Sequence, residues 1–238
     1  MTHQSISQKL HDRLVQLIST TPPGARLPSE PQLAKQLGVS RATLREAMRT
    51  FESQGLIRRR QGSGTYVTHP SMVIDSGLEI LESIETLAQR IGLPVTMGMW
   101  KVNQRPSKIE ECRALAMQED CEVVEVTRVI EAENRPVAFL VDVLPKTVLT
   151  PHDFESGFTG SVLDLLLQRG TPNLAISRTE ITAVTANPEI AKALGIQRGD
   201  VLLQFNALLY TADGQVVDYS YSYFLPGYFR FHVVRRVG

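Results

Sequence analysis

Glycine and proline divide the first seventy residues into short amphipathic segments, and this spacing restricts the possible folds more than any other feature. Apolar residues recur at helical spacing over 5–19, and the run Thr21-Pro22-Pro23-Gly24 cannot continue that helix. A second helix is predicted between Ser29 and Gly38, because serine caps a helix start and glycine ends one. Ser40 can then cap a third helix after a short turn. Two helices joined in this way predict a helix-turn-helix.

The third predicted helix has an apolar face beside a basic face. Arg41, Arg45 and Arg49 fall within about 80° of each other at the helical period, with Ala42 beside them. Arginine's planar fork matches both phosphate oxygens and the major-groove edge of guanine. A basic face that is merely solvated is the alternative. Three arginines directly after a helix-turn-helix favour a helix that enters the major groove of DNA.

A glycine-rich hairpin is predicted after this helix. Gly55 ends the helix, 56–61 has the composition of a strand, and 65–68 returns antiparallel to it. The tip, Gly62-Ser63-Gly64, would let the backbone approach DNA closely. The first seventy residues are thus predicted to form a winged helix-turn-helix.

Charge supports an anionic partner for this region. The whole chain has 25 Lys or Arg and 25 Asp or Glu, a formal net charge of zero. Residues 1–70 hold ten Lys or Arg and four Asp or Glu, a formal charge of +6, and the remainder carries −6. No apolar run is long enough to span a bilayer and the start does not resemble a signal peptide. We therefore expect a cytoplasmic protein without a membrane partner.

The rest of the chain mixes helices with hairpin-connected strands. A linker is predicted at 70–76, between a DNA-binding domain at 1–69 and a second domain at 77–238. Predicted helices cover 78–91, 107–117, 162–169 and 188–194, and predicted strands cover 95–102, 122–131, 136–144, 176–186, 201–210, 216–224 and 228–234. This order predicts an α+β domain on a mostly antiparallel sheet.

No catalytic constellation is predicted in the second domain. His152 and Asp153 lie in a predicted loop without a partnered nucleophile, and Cys112 and Cys121 lack metal-ligand spacing. We expect no catalytic residue, no cofactor and no metal site. Tyrosines alternate along the predicted strand at 216–224 and share one face, where they can pack a core or line a pocket.

The N-terminal motifs resemble the winged helix-turn-helix of GntR-type bacterial transcription regulators over about residues 5–68. The resemblance is carried by Leu27-Pro28-Ser29-Glu30, Leu33-Ala34, Leu37-Gly38-Val39-Ser40-Arg41, Thr43-Leu44-Arg45-Glu46-Ala47, Gly55-Leu56-Ile57 and Gly62-Ser63-Gly64-Thr65. It implies base or neighbouring phosphate contacts for Arg41 and Arg45. It also implies phosphate contacts for Ser29, Ser40 and Thr43, and entry of Gly62 into the minor groove.

The predicted DNA interface combines these positions with the basic helix face and the wing. Its members are Ser29, Ser40, Arg41, Ala42, Thr43, Arg45, Arg49, Gly62, Ser63, Gly64 and Thr65. Many family members carry an arginine where this chain has Pro31. We therefore expect a shifted operator preference, with Arg41 and Arg45 providing more of the recognition.

The order of elements after residue 75 resembles UTRA, the effector domain of the HutC branch of these regulators, which has a chorismate-lyase-like fold. The motifs are Val126-Thr127-Arg128, Asn134-Arg135-Pro136-Val137, Leu144-Pro145, Gly160-Ser161-Val162-Leu163, Ala191 with Leu194-Gly195 and Gly199-Asp200-Val201-Leu202, Asp213-Gly214 with Val216-Val217-Asp218, and Tyr228-Phe229-Arg230-Phe231. The resemblance implies a homodimer in which a small metabolite, often anionic, changes the spacing of two DNA-binding heads.

Only some of the family's pocket residues have counterparts in this chain. Arg128 and Ser161 match family pocket positions, and Asp218 stands where a Glu is common. The predicted effector-binding set is completed by the tyrosines, and is Arg128, Ser161, Asp218, Tyr221 and Tyr223. Ile130 and Leu140 replace an Arg and a Glu, which implies a ligand less polar or less phosphorylated than an amino-sugar phosphate. The alternative for Arg128 is an ion pair with a surface acid.

The sequence therefore predicts a metabolite-responsive repressor that binds a palindromic, double-stranded operator as a homodimer. One alternative is a DNA-binding protein whose second domain only dimerises and binds no ligand. Another is an enzyme with lyase-like chemistry, although no partnered acid and base supports it. The effector's identity, the operator sequence and the direction of the ligand's effect are left open.

Overall fold

The computed structural model describes residues 6–53, 55–60, 63–68, 74–118, 121–155 and 158–235. Contacts divide the chain into two units. The first unit comprises Met1–Val73 with Leu225–Arg230, and the second unit comprises Ile74–Phe224 with Phe231–Gly238. The predicted linker, 70–76, ends inside a short strand, β3 (Ile74–Gly77), which belongs to the second unit.

The first unit has the predicted winged helix-turn-helix architecture. Its elements are α1 (Ile6–Thr20), α2 (Glu30–Leu37), α3 (Arg41–Ser53), β1 (Ile57–Arg60) and β2 (Gly64–Val67). The strands form an antiparallel hairpin in which Ile57 faces Val67. Apolar faces of the three helices meet the hairpin in one core, whose most buried members include Leu14, Leu33, Leu44, Met48, Phe51 and Ile57. Burial of these faces fixes the outward direction of the basic face.

The second unit is built on a six-stranded antiparallel sheet. Its strands are β4 (Val95–Pro106), β5 (Glu122–Ala132), β6 (Arg135–Pro145), β7 (Leu174–Thr185), β8 (Val201–Thr211) and β9 (Val216–Phe224). Their spatial order is β4-β5-β6-β9-β8-β7, and all neighbours are antiparallel. A separate two-stranded sheet pairs β3 with β10 (Phe229–His232). The predicted α+β class and the mostly antiparallel sheet are confirmed.

Four helices and a 3-10 turn connect these strands. They are α4 (Ile84–Arg90), α5 (Ile109–Ala114), a 3-10 turn at Pro151–Phe154, α6 (Val162–Arg169) and α7 (Pro188–Leu194). The last two begin and end where the sequence predicts. Ser161 Oγ accepts the N–H of Asp164 at 3.0 Å, and Asn187 Oδ1 accepts the N–H of Ile190 at 2.9 Å. Gly170 and Gly195 then end these helices in the left-handed conformation.

Several predicted elements differ from the observed ones in length. The strand predicted at 95–102 continues to Pro106, and the strand predicted at 228–234 covers Phe229–His232. The helix predicted at 78–91 covers only Ile84–Arg90, because Ser83 accepts the N–H of Thr86 at 3.0 Å and begins the helix there. Residues 78–82 instead run as a non-helical segment along a cavity described below. The helix predicted at 107–117 is likewise shorter, since it covers Ile109–Ala114.

The described residues contain neither a membrane-spanning helix nor a cluster of metal ligands. No described helix is long and apolar enough to cross a bilayer. No group of three or more His, Cys, Asp or Glu side chains in the described part of the chain is arranged to hold a metal ion. Cys112 and Cys121 are both free thiols.

Leu44→Ala is expected to destabilise the first unit, because Leu44 is fully buried between the helices and the hairpin. Removing such a side chain leaves a cavity, which costs about 2–5 kcal/mol of unfolding free energy. Chemical denaturation followed by circular dichroism measures this loss. Val15→Ala is the control, since Val15 is 45% exposed on α1 and its truncation should cost less than about 1 kcal/mol. Equal losses for the two variants would contradict the assigned core.

Candidate DNA interface and effector cavity

The basic face of α3 forms one wall of an open groove in the first unit. The groove is lined by Glu30, Arg41, Ala42, Arg45, Glu46, Arg49 and Arg59. Four residues of the predicted interface, Arg41, Ala42, Arg45 and Arg49, therefore lie together in a concave surface. All four are exposed. Such a surface presents several guanidinium groups to one ligand.

Glu30 organises the arginines at the floor of this groove. Its carboxylate accepts a hydrogen bond from Arg45 Nε at 2.6 Å and lies 3.8 Å from Arg59 Nη1. Arg59 also lies 3.5 Å from Glu52, and it donates to the carbonyl of Arg45 at 3.4 Å. Because two acids hold these side chains, the arginines lose little further freedom when an anion binds.

Arg59 is a groove residue that the sequence-based prediction missed. Alternation along β1 was the available signal, since neighbouring side chains of a strand point to opposite faces. Arg58 is buried at 4% exposure, and its guanidinium stacks 4.5 Å from the ring centroid of Tyr228 in the same unit. Arg59 is on the opposite face and reaches the groove. Of these two neighbours, only Arg59 is accessible to DNA.

The predicted hydroxyl contacts lie at the starts of the two helices. Ser40 Oγ accepts the N–H of Thr43 at 3.0 Å and bonds its hydroxyl at 2.8 Å. Ser29 donates its N–H and hydroxyl to Gln32 Oε1 at 3.1 and 2.7 Å. Ser29, Ser40 and Thr43 are all exposed. Each hydroxyl therefore supports a helix start and is accessible to a phosphate.

The wing is described only from Ser63 onward, and Gly62 lies outside the described residues. Ser63 Oγ bonds the Tyr66 hydroxyl at 2.7 Å. Gly64 has a φ of +120°, and a Cβ there would lie 2.5 Å from Arg26 Nε, so a further arginine packs against the wing. Thr65 is only 7% exposed. Its side chain is buried, which corrects its inclusion in the predicted DNA interface.

A cavity of about 520 Å³ lies in the second unit. Its walls come from β5, β6, β7, β8 and β9, from the segment around α4 and from the start of α6. Arg128, Ser161 and Asp218 all line it, so the structure brings these three predicted effector residues together. Leu140, where family members carry Glu, also lines the cavity, whereas Ile130 is fully buried and does not. The volume suits a small organic ligand.

Arg128 is paired within the cavity and not with a surface acid. It is 6% exposed, and its Nη2 donates to Asp142 Oδ2 at 2.9 Å. Glu85 Oε1 lies 3.9 Å from its Nη1. The surface ion pair considered as an alternative is therefore wrong. Glu85 and Asp142 are cavity residues that the sequence-based prediction missed, although Asp142 lies on the same strand face as Leu140.

Two buried aspartates, Asp142 and Asp218, lie beside Arg128 in the lining of the cavity. Burial raises the pKa of Asp142, and the adjacent Arg128 guanidinium opposes that rise. Burial and the charge of Asp142 raise the pKa of Asp218 well above its usual value. These directions favour the neutral form of Asp218 more than that of Asp142, which lies beside the arginine. Burial also raises the pKa of Glu85.

Serines connect the helices that border the cavity. Ser83, which begins α4, donates to Asp164 Oδ2 of α6 at 2.7 Å. Ser161, which begins α6, is 1% exposed and accepts the N–H of Asp164. The starts of both helices are thereby held at the edge of one cavity.

The predicted tyrosines belong to a different groove. Tyr221 and Tyr223 line a groove of about 340 Å³, together with Phe139, Val141 and Thr127. Tyr223 accepts a hydrogen bond from Gln204 at 3.1 Å, and burial raises its pKa. Because side chains alternate along β9, these tyrosines lie on the sheet face opposite Asp218. The structure does not bring them together with Arg128, which corrects the grouping of all five residues in one site.

An arginine-lined winged helix-turn-helix is a DNA-binding architecture of transcription regulators. Two family profiles match the chain. The profile of bacterial regulatory proteins of the gntR family matches residues 3–67, and the UTRA domain profile matches residues 91–230. The chain belongs to the GntR family of transcription regulators and carries a UTRA domain.

Curated relatives cover most of the chain. The HTH-type transcriptional regulator Rv0792c of Mycobacterium tuberculosis is 29% identical, over 89% of this chain and 78% of its own length. The HTH-type transcriptional repressor NagR of Bacillus subtilis is 27% identical, over 84% and 81%. The histidine utilization repressor of Pseudomonas putida is 28% identical, over 76% and 72%. These relatives are transcription regulators and not enzymes, so the enzyme alternative is wrong.

Solved structures support the same fold. PhnF from Mycobacterium smegmatis has a TM-score of 0.64 and 21% sequence identity, covering 96% of this chain and 100% of its own. The effector domain of the same protein, solved separately, has a TM-score of 0.60 and covers 69% of this chain. This likeness establishes the fold of both parts.

Asp218→Asn is expected to gain stability relative to the natural chain as pH rises above the unfolded pKa of an aspartate toward the raised folded pKa of Asp218. A raised pKa means that the stabilising contribution of neutral Asp218 is fully present below its unfolded pKa, near 3.9, and is lost as pH rises through the folded value. Asparagine stays neutral and keeps a donor toward Asp142. Urea denaturation at a series of pH values measures the difference in unfolding free energy.

Asp153→Asn is a control whose effect on the unfolding free energy should depend on pH in the opposite direction. Hydrogen bonds from the N–H and hydroxyl of Thr150 lower the pKa of Asp153, so its contribution is present at neutral pH and is lost as pH falls through the folded value. This variant should be destabilised at neutral pH and match the natural chain in acid. A difference for Asp218→Asn that does not change as pH rises above the unfolded pKa would contradict the raised pKa of Asp218.

Proposed function

We propose that this regulator is a metabolite-responsive repressor that binds a palindromic, double-stranded operator as a homodimer. The observation that carries the proposal is the concave groove of exposed arginines on α3. The cavity in the second unit supplies a separate place for an effector. The named repressors among the relatives support repression as the mode of control.

The DNA contacts proposed for the first unit follow from its geometry. Arg41, Arg45 and Arg49 project from one face of α3 and would contact base edges or phosphates in the major groove. Ser40 and Thr43 lie at the start of the same helix, where exposed hydroxyls and N–H groups favour phosphate. Arg59 joins this set as a groove residue. The Ser63-Gly64 backbone of the wing would approach the neighbouring minor groove.

Dimerisation would allow the effector to change the affinity for DNA. Two heads must meet half-sites on one duplex at the same time, so their separation determines affinity. An effector that binds one separation better than another shifts the protein toward that state and changes DNA affinity without touching the DNA contacts. In the alternative function, the second unit only dimerises. The unpartnered buried atoms of Glu85, Arg128 and Asp218 in the cavity favour a ligand instead.

Arg45→Ala is expected to weaken operator binding by roughly ten- to a hundredfold, the usual range of about 1–3 kcal/mol for a specific arginine contact. Fluorescence anisotropy with DNA from upstream of the protein's own coding sequence measures the affinity. Binding of the natural chain should also fall steeply with salt concentration, because phosphate contacts release counterions.

Two further variants separate the causes of such a loss. Arg178→Ala removes an arginine that is also exposed, from β7 of the second unit, and should leave DNA affinity unchanged. Glu30→Gln keeps the Arg45 guanidinium but removes the acid that positions it, and it should lower affinity by less than Arg45→Ala does. Binding that is unaffected by Arg45→Ala, or indifferent to salt, would refute the proposed interface.

The dimeric model predicts both the mass of the protein in solution and the arrangement of half-sites in its operator. We expect sedimentation to show twice the 26.5 kDa chain mass. We also expect one dimer to occupy two half-sites whose centres are about 10 bp apart or a multiple of that spacing. Scrambling one half-site should lower affinity by more than tenfold, roughly the loss from a few mismatched base pairs. A single chain that binds one half-site as tightly as the full operator would refute the dimeric model.

A further inference from the structure

Negative charge dominates the cavity of the second unit. Among the described residues that line it, five are carboxylates and one, Arg128, is a cation. The carboxylates are Glu79, Glu82, Glu85, Asp142 and Asp218. Glu82 is paired with Arg90 at 2.9 Å, and Glu79 accepts the N–H of Val234. The carboxylate oxygen whose charge is left without a hydrogen-bond partner is Glu85 Oε1, since Asp142 is paired with Arg128.

Arg128 is already engaged by these acids. Asp142 lies 2.9 Å and Glu85 3.9 Å from its guanidinium nitrogens. Asp164 lies beside them, held by Ser83, and its charge also acts on Glu85. An anionic ligand that approached Arg128 would face this group of carboxylates, and like charges in a buried site repel strongly. The electrostatics of the cavity thus disfavour an anion.

Buried acceptors in the same place lack donors. Glu85 Oε1 and Asp218 Oδ1 are buried and have no hydrogen-bond partner within the described structure. An unsatisfied buried acceptor costs about 1–3 kcal/mol. Arg128 Nε and Nη1 are also buried without an acceptor. A complementary ligand would therefore bring N–H donors for the two acids and an oxygen acceptor, its own or that of a water, for the arginine.

Aromatic rings form the other wall of the cavity. Phe205 lies 5.0 Å from Phe224 and 4.4 Å from Phe231, measured between ring centroids, and all three line the cavity. Aromatic faces attract cations and pack against apolar groups. The cavity thus combines an acidic floor with an apolar wall.

We propose that this cavity binds a small organic cation, an ammonium or guanidinium on an apolar or aromatic body, with its nitrogen against Glu85 and Asp218. The proposal rests on the proposed function, in which this cavity is the effector site. It departs from the often anionic effectors that the family resemblance implies. The reason is that Asp142 neutralises Arg128 in this chain.

Proton release would accompany the binding of such a cation. The charged groups that act on Asp218 are Asp142 on β6 and Arg128 on β5, and Glu85 of α4 lines the same cavity. A cation placed beside Asp218 favours its ionised form, so a proton leaves Asp218 when the ligand enters. The affinity for the cation should therefore increase with pH between about 6 and 8, where an aliphatic ammonium stays charged.

The test compares charge-matched probes on the full chain. Phenethylammonium and agmatine are the cations, and hydrocinnamate, which has the shape of phenethylammonium with inverted charge, and inorganic phosphate are the anions. We expect the cations to raise the melting temperature with concentration and the anions to leave it unchanged. Calorimetry in two buffers of different ionisation enthalpy should show proton release for phenethylammonium.

Variants connect the binding to the named acids. Glu85→Gln and Asp218→Asn should each weaken phenethylammonium binding about tenfold or more, and Asp218→Asn should also abolish proton release. Glu180→Gln removes an exposed acid of β7 outside the cavity and should change neither. Tighter binding of hydrocinnamate or phosphate than of the cations overturns the proposal. So does unchanged affinity in Glu85→Gln, or a dissociation constant above about 10 mM for both cations.

Operator binding separates this proposal from the proposed function. If a cation binds in the cavity but DNA affinity does not respond, the ligand class stands and the metabolite-responsive function fails. If an anion changes DNA affinity and cations do not, the function stands and the ligand class is overturned. If cations both bind and change DNA affinity, both proposals hold.

Discussion

Neighbouring side chains of β5, β6 and β9 point to opposite faces of the sheet, and this alternation determines which residues of the second unit line the cavity. Arg128, Leu140, Asp142 and Asp218 face the cavity, whereas Thr127, Val141 and the tyrosines of β9 face the opposite groove. The antiparallel register of β5, β6 and β9 keeps these two sets apart over the length of the sheet. A shift of one residue in any of the strands would move its charged groups to the other face. The placement of the charged groups in the cavity therefore depends on this register.

Buried charge gives the cavity its chemical character. An isolated arginine would be unfavourable there, and Asp142 makes its burial possible through a short charge-assisted hydrogen bond. Burial of Asp218 is less unfavourable because its raised pKa favours the neutral form. Asp142 holds Arg128 in a fixed geometry, and Asp218 Oδ1 can still accept a hydrogen bond.

In the first unit, carboxylates also hold arginine side chains in place, here on an exposed surface. Glu30 and Glu52 hold Arg45 and Arg59 in place, so the groove presents positioned guanidinium groups. The helix starts at Ser29 and Ser40 add exposed hydroxyls on the neighbouring surface. Family membership makes the chain a transcription regulator, and the groove gives that function its physical basis.

Local sequence patterns were sufficient to predict the winged helix-turn-helix, the antiparallel hairpins and the caps of α6 and α7. These features depend on residues close together in the chain, such as Ser161 with Asp164 or Asn187 with Ile190. Periodicity alone extended α4 too far, because it could not show that the hydroxyl of Ser83 begins the helix. The tertiary structure alone brought Arg128, Asp142 and Asp218 together, separated them from Tyr221 and Tyr223, and placed Arg59 in the groove. Those relations join strands far apart in sequence, and only pairing register and burial determine which side chains meet.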